Sequence, residues 1–257
     1  MSSIAQGIVL RGMGIECEEE SLRALSALGL KKCVYLNLQS IVDGTWSKEL
    51  SSFGIELNAQ TIVWIPGGFS FSDDFGAGKL MAHWLKKAGF VADVVSGGAH
   101  MIGVCNGFQV LCHLGVFGQS VSLQPNDPAG FKNKWVRLDL DLAAADKKKE
   151  ILMPVRHGEG RLKGLAESKA KAFLKYNDDE FTNGSENLVA GLYVKKEKSF
   201  IFGLMPHPEV ALRMGDSPLM SGTSRMPKFR SEIYDLNGDG LYLLQKIEET
   251  ILTGEFL

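Results

Sequence analysis

Short runs of β-branched and aliphatic residues alternate with amphipathic stretches through the first half of the chain. Residues 7–10 read as a strand. A helix follows over 18–28, with Leu22, Leu25 and Leu28 three apart on one face and Gly29 as its stop. Residues 33–38 form a second predicted strand and 61–65 a third, which Pro66-Gly67-Gly68 halts. The pattern over 76–88 is helical, with Leu80, Trp84 and Ala88 at four-residue spacing. Residues 100–104 read as a fourth strand and 106–114 as a helix. Strands alternating with helices imply right-handed crossovers and a parallel sheet covered on both faces.

The second half is richer in strands. Apolar and polar positions alternate over 135–142, 171–176 and 188–194. Residues 195–198 look like the turn of a hairpin whose second strand is 199–204, and 240–252 closes the chain as a helix. Lys147-Lys148-Lys149 reads as a solvated loop. No linker, repeat or low-complexity segment interrupts the pattern. The expectation is one α/β domain over 1–257: an open, mostly parallel, flavodoxin-like sheet with helices on both faces and an antiparallel extension in its second half.

Composition narrows the function. The 257 residues carry 28 Lys and Arg against 30 Asp and Glu, a net charge of −2. The basic surplus of a general nucleic-acid binder is absent. The longest apolar stretch, 100–117, is interrupted by Asn106, Gln109 and His113, so no bilayer span is expected. Ile8-Val9-Leu10 is too short for a signal-peptide core. Four cysteines without a paired framework or CxxC fit reduced thiols in a cytoplasmic protein.

The sharpest local feature is Gly103-Val104-Cys105-Asn106-Gly107. An apolar strand runs into a nucleophile bracketed by glycines and then into a helix, the cysteine version of the nucleophile elbow. A thiol there stands at a helix N-terminus, whose dipole and free N–H groups favour the thiolate. The unperturbed pKa of about 8.5 leaves only a small ionised fraction at neutral pH, so a base is wanted. The candidate is His207 in Met205-Pro206-His207-Pro208-Glu209, held extended by its prolines, with Glu209 placed to take the ring N–H. Gly67 and Gly68 follow another strand. The N–H of Gly68 with that of Asn106 would make a two-donor oxyanion hole. His157 and Glu159 form a second His-x-Glu, but the spacings match no zinc pattern, so no metal is expected. Cys17, Cys33 and Cys112 read as small buried hydrophobes, and His83, His100 and His113 as structural.

Together these residues resemble the class I glutamine amidotransferases. Within that class the chain is similar to the glutaminase subunits of phosphoribosylformylglycinamidine synthase. GVCNGFQVL (103–111), PGGFSFSDDFGAGK (66–79), PVRHGEGRL (154–162), NGSENLVAG (183–191) and GLMPHPE (203–209) carry the match in order. The resemblance implies a Cys105–His207–Glu209 triad, Gly68 and Asn106 in the oxyanion hole, and Gly67 and Gln109 beside the substrate, with His157 and Glu159 at the site's rim. It implies hydrolysis of L-glutamine to glutamate and ammonia. The ammonia goes to a separate synthetase subunit, with a possible small accessory subunit. That synthetase converts formylglycinamide ribonucleotide to formylglycinamidine ribonucleotide in purine biosynthesis. ATP and magnesium are expected on that partner and no cofactor on this chain. Met13, Glu16, Ser72, Gly76 and Val210 depart from the family's usual residues. A different class I amidotransferase subunit, or a non-catalytic assembly subunit on the same fold, is the alternative reading. The stretches that carry the match leave residues 211–237 without an expected role.

Overall fold

The computed structural model describes residues 3–141, 149–178, 181–213 and 238–255. Its centre is a nine-stranded sheet in the order β2-β1-β3-β4-β11-β10-β9-β6-β7. The parallel half comprises β1 (Gln6–Arg11), β2 (Lys32–Asn37), β3 (Thr61–Ile65), β4 (His100–Val104) and β11 (Ser199–Leu204). β3, β4 and β11 are buried at every position, as their unbroken apolar runs require of strands covered on two faces. β10 (Val189–Lys196) turns the sheet antiparallel, and β9 (Lys171–Tyr176), β6 (Lys132–Leu140) and β7 (Lys149–His157) continue it to the far edge. A separate antiparallel pair joins β5 (Ser122–Gln124) to β8 (Arg161–Lys163).

The chain steps from β1 outward to β2 through helix α1 (Glu18–Ala27), then returns across β1 to β3. It next steps to β4 through α4 (Lys79–Lys87) and α5 (Phe90–Gly97). Right-handed crossovers running in opposite directions place their helices on opposite faces. The reversal between β1 and β3 opens a crevice at the carboxyl edge, where doubly wound sheets bind ligands. Helix α6 (Asn106–His113) packs on β3, β4 and β11 and against α4, while the closing helix α7 (Asp239–Thr253) packs on β7 and the turn at 208–210.

The strands 61–65, 100–104, 171–176 and 199–204 fall where the pattern places them. Leu38 is an exception: it opens a short helix α2 (Leu38–Val42), followed by α3 (Trp46–Ser52). α4 begins at Lys79 rather than 76, because Gly76 (φ 113°) and Gly78 (φ 75°) hold left-handed conformations outside the helix. Lys149, expected in a solvated loop, begins β7; Lys147 and Lys148 lie outside the described residues, as do 142 and most of 211–237.

Candidate active site

β1, β3, β4 and β11 all end at one edge of the sheet, and each delivers a loop to the same place. Cys105 takes φ 51° and ψ −105°, an uncommon conformation for a residue with a side chain. Its N–H is tied to Leu204 O on β11 at 2.8 Å. The bracket of glycines has a direct cause. A Cβ on Gly103 would stand 2.6 Å from Gly107 O, and one on Gly107 would overlap the carbonyl oxygen of Ile65 on β3. Only without them can α6 start so close to the strand layer. The Cys105 thiol is 6% exposed, and its Sγ–H donates to Arg156 O at 3.4 Å.

His207 arrives from the end of β11, and its N–H donates to Pro154 O at 2.9 Å. The ring Nδ1 donates to Glu209 Oε1 at 2.6 Å, with the imidazole 4% and the glutamate 3% exposed. That bond orients the ring and leaves Nε2, buried without a hydrogen-bond partner, as the nitrogen open to other groups. Burial pulls the His207 pKa down, but the Glu209 carboxylate and then the Cys105 thiol outweigh it and hold the ring well above its ordinary value. Gly67 separates the thiol from the imidazole: a Cβ there would lie 2.7 Å from His207 Cε1 and 3.5 Å from Cys105 Cβ. Cys105, His207 and Glu209 are thus brought together around one glycine.

Gly68, with φ 138°, is pressed against the loop after β1. A Cβ there would stand 2.6 Å from Glu16 N and 2.8 Å from Gly14 O. Its neighbours make the bridge to that loop, through Glu16 N–H to Gly67 O and Phe69 N–H to Gly14 O. The N–H of Gly68 and that of Asn106 donate to no acceptor among the described residues. The Asn106 side chain is fully engaged: Oδ1 accepts from Ser70 N–H at 3.1 Å, and Nδ2 donates to Asp73 Oδ1 at 3.0 Å and Gln109 Oε1 at 2.9 Å. Gln109 Nε2 donates in turn to Glu159 O at 2.7 Å. Gln109, expected beside the substrate, therefore spends its amide bracing Asn106, and Glu159 contributes its backbone carbonyl. The sequence reading missed Asp73, whose signal was only a polar residue in a glycine-rich loop.

His157, expected at the rim, is buried. Its Nδ1 donates to Asn126 Oδ1 at 3.1 Å, and Asn126 Nδ2 donates to His157 O and Gly130 O. Burial, with His207 and Lys132 adding to it, lowers the His157 pKa to about 4. The ring is therefore a neutral structural group. The NGSENLVAG stretch locks onto the same turn, since Asn183 Nδ2 and Ser185 Oγ both donate to Gly160 O. His100 bonds Ala59 O and Phe200 N–H, and His113 bonds Ala77 O, as structural histidines do.

Cys17 differs from the expectation of an inert core thiol. Its N–H donates to Gly67 O at 3.3 Å, and its sulfur, a His207 ring nitrogen and a Glu209 oxygen all lie within 4.8 Å of one another. Burial pushes its thiol pKa up, against the pull of His207. Nothing in local sequence pointed there, because the loop carrying it ends a different strand.

A family model, the CobB/CobQ-like glutamine amidotransferase domain, matches residues 5–234. The chain is 39% identical over 156 residues to the phosphoribosylformylglycinamidine synthase subunit PurQ of Pyrobaculum aerophilum, covering 58% of this chain and 68% of that one. It is 29% identical over 262 residues to the subunit of the same name from Methanococcus maripaludis, covering 90% and 89%. The solved structure of PurLQS from Thermotoga maritima superimposes with a TM-score of 0.67 at 24% identity, covering 97% of this chain and 98% of that chain. At that identity it shows a common fold.

Proposed function

The chain belongs to the CobB/CobQ-like glutamine amidotransferase family, among the PurQ-type subunits of phosphoribosylformylglycinamidine synthase, and from that premise we infer how its residues act. The protein is a glutaminase that releases ammonia from L-glutamine for a synthetase subunit making formylglycinamidine ribonucleotide. Cys105, as thiolate, attacks the side-chain amide carbon of glutamine. The N–H groups of Gly68 and Asn106 take the oxyanion, and loss of one such donor typically raises a barrier by about 2.7–4 kcal/mol. His207 passes a proton from Nε2 to the departing ammonia, leaving a γ-glutamyl thioester on Cys105. The ring then draws a proton from water, which attacks the thioester and frees glutamate. Glu209 holds the ring and balances its charge. ATP and magnesium serve the synthetase, and the complex works in the cytoplasm. Among the described residues no helix is long and apolar enough to cross a membrane.

The observation that carries this reading is the junction at Gly67, where a cysteine on an elbow and a carboxylate-held imidazole share one glycine beside two unclaimed N–H groups. The test compares Cys105→Ala with the natural protein, each reconstituted with the synthetase. Glutamine-driven synthesis disappears and ammonia-driven synthesis persists. Glutamine turnover surviving in the variant overturns the assignment.

A further inference from the structure

We propose that Cys17, His207 and Glu209 form a binding site for a soft divalent cation, zinc above all, and that occupancy switches the enzyme off. One sulfur, one ring nitrogen and one carboxylate oxygen lie within 4.8 Å of each other. Thiolate, imidazole and carboxylate are the donor types zinc prefers, and three protein ligands with an open fourth position make a complete site. Two of the three side chains are more than nine-tenths buried. One of these, Glu209, has an oxygen, Oε2, that is buried without a hydrogen-bond partner. The scaffold is rigid: Cys17 is tied through its N–H to Gly67 O, and His207 through its N–H to Pro154 O.

Geometry selects which ring nitrogen binds. Zinc–nitrogen and zinc–oxygen bonds are about 2.0–2.2 Å, so the two ligand atoms must lie close together. Nδ1, 2.6 Å from Glu209 Oε1, meets that condition after a small opening. Binding forms Zn–S, Zn–N and Zn–O bonds. The Cys17 thiol proton and the Nδ1 proton of the charged ring leave to solvent, and Nε2 keeps its proton. Nε2 is the nitrogen that exchanges a proton with the reacting groups, and with Nδ1 held by the metal the ring no longer gives that proton up and takes it back, so the metal silences the base without touching the nucleophile. The site shares two residues with the proposed triad, yet the metal claim rests on geometry and stands whether or not the chain turns over glutamine.

The experiment uses the full chain as Cys105→Ser, which cannot form the thioester, and zinc chloride as the probe. Alkylation of each remaining cysteine by iodoacetamide is followed by mass spectrometry with and without zinc. One equivalent of zinc slows modification of Cys17 at least tenfold and leaves Cys33, which is similarly half-buried, unchanged. Cobalt in place of zinc gives a thiolate charge-transfer band that vanishes in Cys17→Ser/Cys105→Ser. Equal alkylation of Cys17 with and without zinc, or no thiolate band in the Cys105→Ser protein, overturns the proposal. Loss of glutaminase activity in the natural protein on Cys105→Ala, tested separately above, bears only on the catalytic reading.

Discussion

A methyl group at position 67 has nowhere to go. It would sit 2.7 Å from His207 Cε1 and 3.4 Å from Nδ1, and Nδ1 is already fixed by Glu209. Gly67→Ala should therefore tilt the imidazole rather than unfold the chain, because Gly67 does not need a left-handed φ. A displacement of about 1 Å at a catalytic group costs on the order of 100-fold in rate. The expected outcome is a fall of that size in glutamine turnover with a melting temperature shifted by only a few degrees. Unchanged turnover would break the link between Gly67 and the base. His157 makes a different prediction. In the unfolded chain it binds a proton near pH 6.5, but in the fold only near pH 4. The unfolded state therefore takes up more protons in between, and stability falls as pH drops from 6.5 to 4. The contribution reaches about 3 kcal/mol, at 1.36 kcal/mol per unit. His157→Gln should flatten that acid-side loss in urea titrations, and an identical pH profile would refute it.

Between β4 and α6 the decisive quantity is the gap to β3. Gly107→Ala drives a methyl into the Ile65 carbonyl, backbone against backbone, where no side chain can swing aside. Overpacking of this kind costs about 1–3 kcal/mol, occasionally more, and denaturant unfolding should show at least that loss. A neutral Gly107→Ala would mean the elbow tolerates a looser helix. The same scale explains which elements were readable. β3, β4 and β11 announce themselves as apolar runs between glycines and prolines. β7 does not, because Pro154 interrupts it and its apolar residues do not alternate. It survives as a strand because it is the sheet's outer edge, where a missing N–H is tolerated. α5 was hidden for another reason. Its valines favour strands, and it is a helix because Gly89 (φ 69°) and Gly98 (φ 81°) close it at both ends and Phe90 and Val94 bury against the core.

Four strands separate β4 from β7 in the sheet order, yet Arg156 and Pro154 of β7 supply the carbonyls that receive the Cys105 thiol and the His207 N–H. The antiparallel half must curl back over the carboxyl edge to do this, helped by the register shifts between β9 and β10. Asp239 at the start of α7 pins the curl, since its Oδ2 accepts from Leu152 N–H on β7 at 2.8 Å. Asp239→Ala leaves that N–H without its partner, a loss of about 1–3 kcal/mol. It should also speed alkylation of Cys105 by freeing the cover above it. Equal alkylation rates in both proteins would show that β7 holds its place unaided.

The residues of the chain alone settled the parallel core, the elbow at Cys105, the His207-x-Glu209 pairing and the glycine pairs; that Pro208–Val210 turns as a 3-10 helix rather than running extended was not among them. Each follows from local sterics: a fixed φ, an excluded Cβ, an apolar run ended by proline. What they could not settle was distance across the chain. That Cys17 lies against the base, that Gln109 and Asp73 brace Asn106 rather than face outward, and that His157 is buried on Asn126 were decided by which loops met at the carboxyl edge. Those meetings depend on strand order and on how far the sheet curls, which are set by packing of the whole chain and leave no signature in any short stretch of it.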